Sequence, residues 1–170
     1  MRFVTRFLSL SAIFAIAVSC ASDDGEHGFQ SPAPGFYNDA DLDWNRANLT
    51  WYESYPDPNS EECIEFNGCY WSGQLAYFDS AQSKTWISNS SIIAVHSNFW
   101  SEYRGHILRI RQGGHQIDAM VYDLCSDDDC DGCCTRNMYQ TGFLIDMEIH
   151  TFNDFNADEG VVDWACLDCN

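Results

Sequence analysis

The chain has 170 residues, 45% of them hydrophobic, enough for one domain with a buried core and too few for several. Its 26 acidic residues against 8 basic ones give a formal net charge of −18. That balance argues against nucleic acid and anionic membrane surfaces as partners and leaves neutral or cationic ones, polysaccharide among them.

Residues 1–19 read as an export signal. Arg2 and Arg6 form a basic start, Phe7 to Val18 an apolar stretch, and Ala17 and Ser19 suit a cleavage site before Cys20. The apolar run is too short for a transmembrane segment. Its removal leaves 6 basic against 26 acidic residues, or −20. The string AVSC is a weak match to a lipoprotein box, so the protein is expected to be secreted, or lipid-anchored at the envelope if Cys20 is the acyl acceptor. The remaining eight cysteines, Cys63, Cys69, Cys125, Cys130, Cys133, Cys134, Cys166 and Cys169, form an even set in an exported domain and predict four disulfides.

Residues 20–46 carry Asp, Gly, Pro and Ser without period and read as a flexible leader before a domain spanning 47–170. NLTWYESY (48–55) is rich in β-formers and stops at Pro56-Asp57-Pro58. Cys63 and Cys69 share a loop with Gly68, and Gly73 opens a short strand to Phe78. KTWI (84–87) suits one helical turn, and SIIAVH (91–96) a buried strand. The stretch HILRIRQGGHQIDAMVYD reads as a hairpin turning at Gly113-Gly114, with Ile117, Ala119 and Val121 alternating on one face. Beyond the acidic cysteine loop, GFLIDM is strand-like, EIHTFNDF has helical spacing and VVDWAC is a last strand. The sum is an all-β, six-stranded, disulfide-rich barrel with one short helix.

The pieces resemble, in order and over roughly residues 47–166, the double-psi β-barrel superfamily of expansins, family-45 endoglucanases, barwin-like proteins and the rare-lipoprotein-A domain. NLTWY looks like the opening strand and IIAVHSNFWSEYRGHILRI like the segment that follows. AMVYDLC resembles V-x-V-x-D-x-C, and GFLIDMEIHTFNDF with GVVDW resembles the closing segment. There are departures. Ile145 stands where the family carries histidine before the aspartate, Arg104-Gly105 replaces a Cys-Gly pair, and the CSDDDCDGCC loop is no expansin feature. No second carbohydrate-binding domain follows, so a single-domain member is expected.

The resemblance implies that Asp146 is the key cleft carboxylate and Asp123 a second one. On sequence alone Asp146 would cap the helix beginning near Glu148, and Asp123 is an ordinary strand-end carboxylate as readily as a site residue. The hydrophobic neighbours Leu144, Ile145 and Met147 would desolvate Asp146 and keep it protonated. Thr50 and Tyr52 match the polar and aromatic residues of the opening strand. Glu53 lies near, though not clearly on, the position of the endoglucanase base. Trp71 and Trp100 are the expected sugar-stacking rings. The C-x-x-C pairs have zinc-type ligands, but export favours disulfides. The aspartates at 127–129 and 131 lack EF-hand spacing, and the five histidines form no triad. No cofactor is expected, and a monomer is. The implied function is loosening of cell-wall or extracellular polysaccharide without hydrolysis. The alternatives are a glycoside hydrolase with Asp146 as acid and Glu53 or Asp123 as base, and a barwin-like glycan-binding or defence module.

Overall fold

A computed structural model describes residues 37–169. The export signal, Cys20 and most of the expected leader lie outside the described residues. Six strands close into a barrel: β1 (Asn45–Tyr52), β2 (Ile92–His96), β3 (Ile107–Gln112), β4 (His115–Cys125), β5 (Leu144–Glu148) and β6 (Gly160–Cys166). Around the barrel they follow the order β1-β5-β2-β4-β3-β6. β1 runs parallel to β5 and β2 parallel to β4, whereas the other four pairs are antiparallel. Two parallel pairs between non-consecutive strands force crossing connections, which is the double-psi arrangement.

Alternation explains the core. Each strand sends an i, i+2 pair inward: Ala47 and Leu49, Ile93 and Val95, Leu108 and Ile110, Ala119 and Val121, Ile145 and Met147, Val162 and Trp164. Phe143 and Phe155 plug the ends, with the Phe143 ring stacked on Trp164 at 4.4 Å. The β3–β4 hairpin turns at Gly113 and Gly114, whose φ values of 58° and 95° suit glycine at both central positions. A smaller cluster outside the barrel joins Leu75, Ile87 and Ile92 to Tyr55, Phe78, Trp86 and Tyr122.

Among the described residues five short α-helices decorate the loops, where the sequence led us to expect one. α1 (Glu61–Ile64) and α2 (Lys84–Ser88) start at Ser60 and Ser83, whose hydroxyls accept from Cys63 N and Trp86 N. α3 (Trp100–Tyr103) and α4 (Cys133–Asn137) are single turns, and α5 (Ile149–Phe155) is the helix expected from the sequence. Residues 73–78 are not the strand their composition suggests. Gly73 sits at φ 73°, and the segment is held by Gly73 N donating to Ser54 O and Tyr77 N to Tyr122 O, while Leu75 fills the outer cluster.

Residues 37–44, just ahead of β1, are fastened to the barrel. Arg109, 4% exposed, makes a two-pronged pair with Asp118 (Nε–Oδ1 and Nη2–Oδ2, both 2.7 Å) and donates from Nη1 to Asp39 Oδ1 at 2.6 Å. The Arg111 guanidinium lies 3.5 Å from the Trp44 ring centroid. Asp118→Ala would leave Arg109 buried without its main partner. It is expected to cost about 3 kcal/mol in denaturant unfolding, and a cost below about 1 kcal/mol would show that the pair contributes little.

Candidate functional site

A register row across four neighbouring strands builds the site. Asp123 on β4 pairs with Ala94 on β2, Ala94 with Asp146 on β5, and Asp146 with Thr50 on β1. Strands lie about 4.8 Å apart, so the two aspartate Cα atoms are roughly two spacings apart, with only the methyl of Ala94 between them. Asp146 faces outward because Ile145 and Met147 on either side face the core. Asp123 needs a device. Unbroken alternation would put it on the core face with Ile117, Ala119 and Val121. The β2–β4 register instead skips Tyr122, so that Ile93 pairs with Val121 and Ala94 with Asp123. This bulge sends Tyr122 to the outer aromatic cluster and Asp123 to the row.

Above the row lies a cavity of about 560 Å³. One wall is the segment from Trp51 to Trp71, closed on itself by the Cys63–Cys69 disulfide. The other is the acidic loop, closed by Cys125–Cys134 and Cys130–Cys133. The walls meet where Trp71 Nε1 donates to Asp129 Oδ1 at 3.1 Å and Asn67 Nδ2 to Asp129 O at 3.0 Å. Asp127 ties the acidic loop to the barrel. It accepts from Thr135 N and Oγ1, and Thr135 Oγ1 is 3.0 Å from Nε2 of buried His96. These hydrogen bonds hold the Asp127 carboxyl below its ordinary range. The fourth disulfide, Cys166–Cys169, lies at the end of β6, so all eight cysteines are paired and the C-x-x-C units close on themselves.

The floor is recessed, and its acids respond. Burial pushes Asp146 up to about 6, against the pull of Thr50 Oγ1, which donates to Asp146 Oδ1 at 2.6 Å. Of the neighbours expected to desolvate it, Ile145 and Met147 point the other way into the core, whereas Leu144, also fully buried, lies two residues along the strand. Burial likewise lifts Asp123 to about 7, although its Oδ1 accepts from Ala76 N at 3.0 Å and Leu124 N at 2.9 Å. Tyr52 is raised well above its ordinary value, first by burial and then by the charges of Asp123, Glu148 and Asp146. The helix cap is Glu148, whose Oε2 accepts from His150 N at 2.8 Å, so Asp146 is not engaged there.

Thr50, Tyr52, Glu53, Trp71, Asp123 and Asp146 all line this cavity. Trp100 does not. It packs against the barrel core beside Phe99 and Tyr103, and the half-exposed ring that flanks the cavity with Trp71 is Trp51. Asn48 opens an Asn-Leu-Thr glycosylation motif, but it is 7% exposed and its Oδ1 accepts from Thr141 N and Oγ1, so the folded chain buries the side chain a glycan would need. Sequence reasoning missed Glu62, Asp129, Ser54 and Ala94. Glu62 sits one residue before Cys63, and only the ring closed by Cys63–Cys69 turns it to the cavity. Burial, then Asp146 and Glu53, push Glu62 up to about 7.

No protein-family model and no curated protein matches the sequence. Among solved structures, an expansin from Clavibacter michiganensis is similar at 13% identity and a TM-score of 0.44, over 74% of this chain and 50% of that one. The chain therefore spans half the length of that expansin. A Streptomyces papain inhibitor is similar at 16% identity and a TM-score of 0.43, over 74% of this chain and 96% of the inhibitor. A GH45 endoglucanase solved with cellobiose is similar at 10% identity and a TM-score of 0.47, over 74% and 82%. Likeness this distant carries no functional argument.

The raised acids bear on stability with a definite sign. A carboxyl whose folded value exceeds its unfolded one holds its proton more tightly when folded, so it loses stability as pH rises through the interval between them. For Asp123 that interval runs from about 4 to about 7. Asp123→Asn keeps the acceptor for Ala76 and Leu124 and removes the buried charge. Its melting temperature should exceed that of the wild type by several degrees above pH 8 and match it near pH 4. An unchanged difference across that range in differential scanning calorimetry would contradict the burial of this carboxyl. By strand order and strand direction, the chain is a closed six-stranded double-psi β-barrel.

Proposed function

We propose that this is an exported polysaccharide-binding protein that loosens cell-wall or extracellular glycan without cleaving it, with Asp146 as the central carboxyl. The observation that carries the reading is the Asp123–Ala94–Asp146–Thr50 row at the floor of one open cavity. A pyranose chain offers hydroxyls to such a floor and C–H faces to rings such as Trp51 and Trp71 at the rim. Near neutral pH Asp146 and Asp123 each populate both protonation states, so either one donates or accepts a hydrogen bond from a sugar hydroxyl. Thr50 fixes one oxygen of Asp146 and leaves the other for the ligand.

Non-hydrolytic action is favoured by the surroundings of the two acids, both recessed and one of them held by backbone N–H groups. A hydrolytic pair works when its surroundings push one carboxyl up and keep the other ionised. Here burial raises both, to about 6 and about 7, and Asp123 is further committed to two backbone N–H groups. A second reading, an inverting hydrolase with Asp146 as acid and Glu53 or Asp123 as base, has all three carboxyls on the cavity and one further observation in its favour. The roughly two-strand spacing of the aspartates is of the order that leaves room for a water molecule.

The test is reducing-end release by the secreted protein from cellulose, mixed-linkage glucan, xylan, chitin and peptidoglycan, with pull-down binding and a wall-creep assay in parallel. The expected result is binding and creep without new reducing ends, with creep lost in Asp146→Asn while the protein stays folded. Reducing ends that fall by about 100-fold or more in Asp146→Asn would establish the hydrolase instead. Binding that survives substitution of both aspartates, without creep, would make this a passive binding module.

A further inference from the structure

Resting on the glycan-binding reading, we infer that the cavity selects a cationic glycan, a pyranose polymer bearing free amino groups, over its neutral and acidic counterparts. Carboxyls reach the cavity from every side. Asp123 and Asp146 lie on the floor, Glu53 and Glu62 on one wall and Asp129 on the other. Among the lining residues the one cationic side chain is Arg136, and its Nη1 donates to the carbonyl of Asp131. Two further acceptors stand ready. Ser54, 6% exposed, and Tyr52 both line the cavity, and neither buried hydroxyl makes a hydrogen bond of good geometry, although Tyr52 lies beside Asp123 and Ser54 beside Glu148.

An ammonium matches this lining better than a hydroxyl does. It supplies three donors and no acceptor, and its charge relieves the repulsion among acids packed into one recessed space. A uronate would add another negative charge to them. The position of Glu62 is itself built. Its backbone O accepts from Gly68 N, and a Cβ at residue 68 would come within 2.8 Å of Glu62 Cγ, so glycine at this place lets the acid fold over its own loop. The charge of the whole chain, −18, extends the same preference outward by steering cations to the mouth.

Three β-1,4-linked hexamers isolate the effect, because they differ only in the group at C2: cellohexaose, the N-acetylglucosamine hexamer and the glucosamine hexamer. Binding to the folded secreted protein is measured by titration calorimetry at low salt from slightly acid to neutral pH, because the cavity acids gain charge over the same range in which the sugar amines lose it. The glucosamine hexamer is expected to bind about tenfold or more tightly than either neutral oligomer. That advantage should shrink to roughly twofold in about 0.5 M NaCl, and in Glu62→Gln combined with Asp129→Asn. Equal or tighter binding of a neutral hexamer would overturn the inference and leave the glycan reading standing. No binding of any hexamer would overturn both. Hexalysine that binds as tightly as the glucosamine hexamer would also overturn it, since charge alone would then account for the contact. If the double variant fails to fold, the salt series on the native protein decides.

Discussion

Strand β2 is the member on which the site depends. It is paired along both edges, parallel to β4 and antiparallel to β5, and all five of its residues are buried. Its two inward side chains, Ile93 and Val95, anchor it in the core, which fixes Ala94 facing outward between two strands that each carry an aspartate. Backbone hydrogen bonds on both edges set the lateral position of Asp123 and Asp146 far more tightly than loops could. The small side chain between them keeps the floor open.

The cavity above that floor is made of loops with little apolar core of their own. Stiffness comes from short covalent rings and from a few polar contacts instead. The three disulfides of the walls close loops of only three to nine residues, which limits their entropic contribution to global stability. Their effect is local. They hold Glu62, Asp129 and the rings of the rim in place on a surface that hydrophobic burial does not organise. The link from Trp71 and Asn67 to Asp129 joins the two walls, and the Asp127–Thr135–His96 contacts tie one of them back to the barrel.

Acids buried on the floor oppose folding at neutral and higher pH, and the barrel core offsets that cost. Such an arrangement is the usual mark of a binding or reacting site, where local stability is given up for chemistry. The Arg109–Asp118 pair on the opposite flank shows the contrasting case. There a buried charge is fully matched, and its role is to clasp the segment at Tyr37–Trp44 against the barrel.

Alternation along β1, β3, β5 and β6 determined the inward pairs by itself, because a two-residue period commits one face to the core wherever the strand is regular. The Gly113-Gly114 turn, the helix at 149–155 and the pairing of all eight cysteines were legible for similarly local reasons. Partner choice among those cysteines was not, since it depends on which loops meet. Tertiary structure alone decided the rest of the site. The skipped Tyr122 reverses the face of Asp123, an effect that strict alternation conceals. The ring closed by Cys63–Cys69 brings Glu62 to a cavity 61 residues away in sequence from Asp123, and Trp100, beside polar residues in the chain, finds the core instead. Composition and period report on a residue and its neighbours. Which side chains share one recessed space is settled by strand register and cross-links between distant segments.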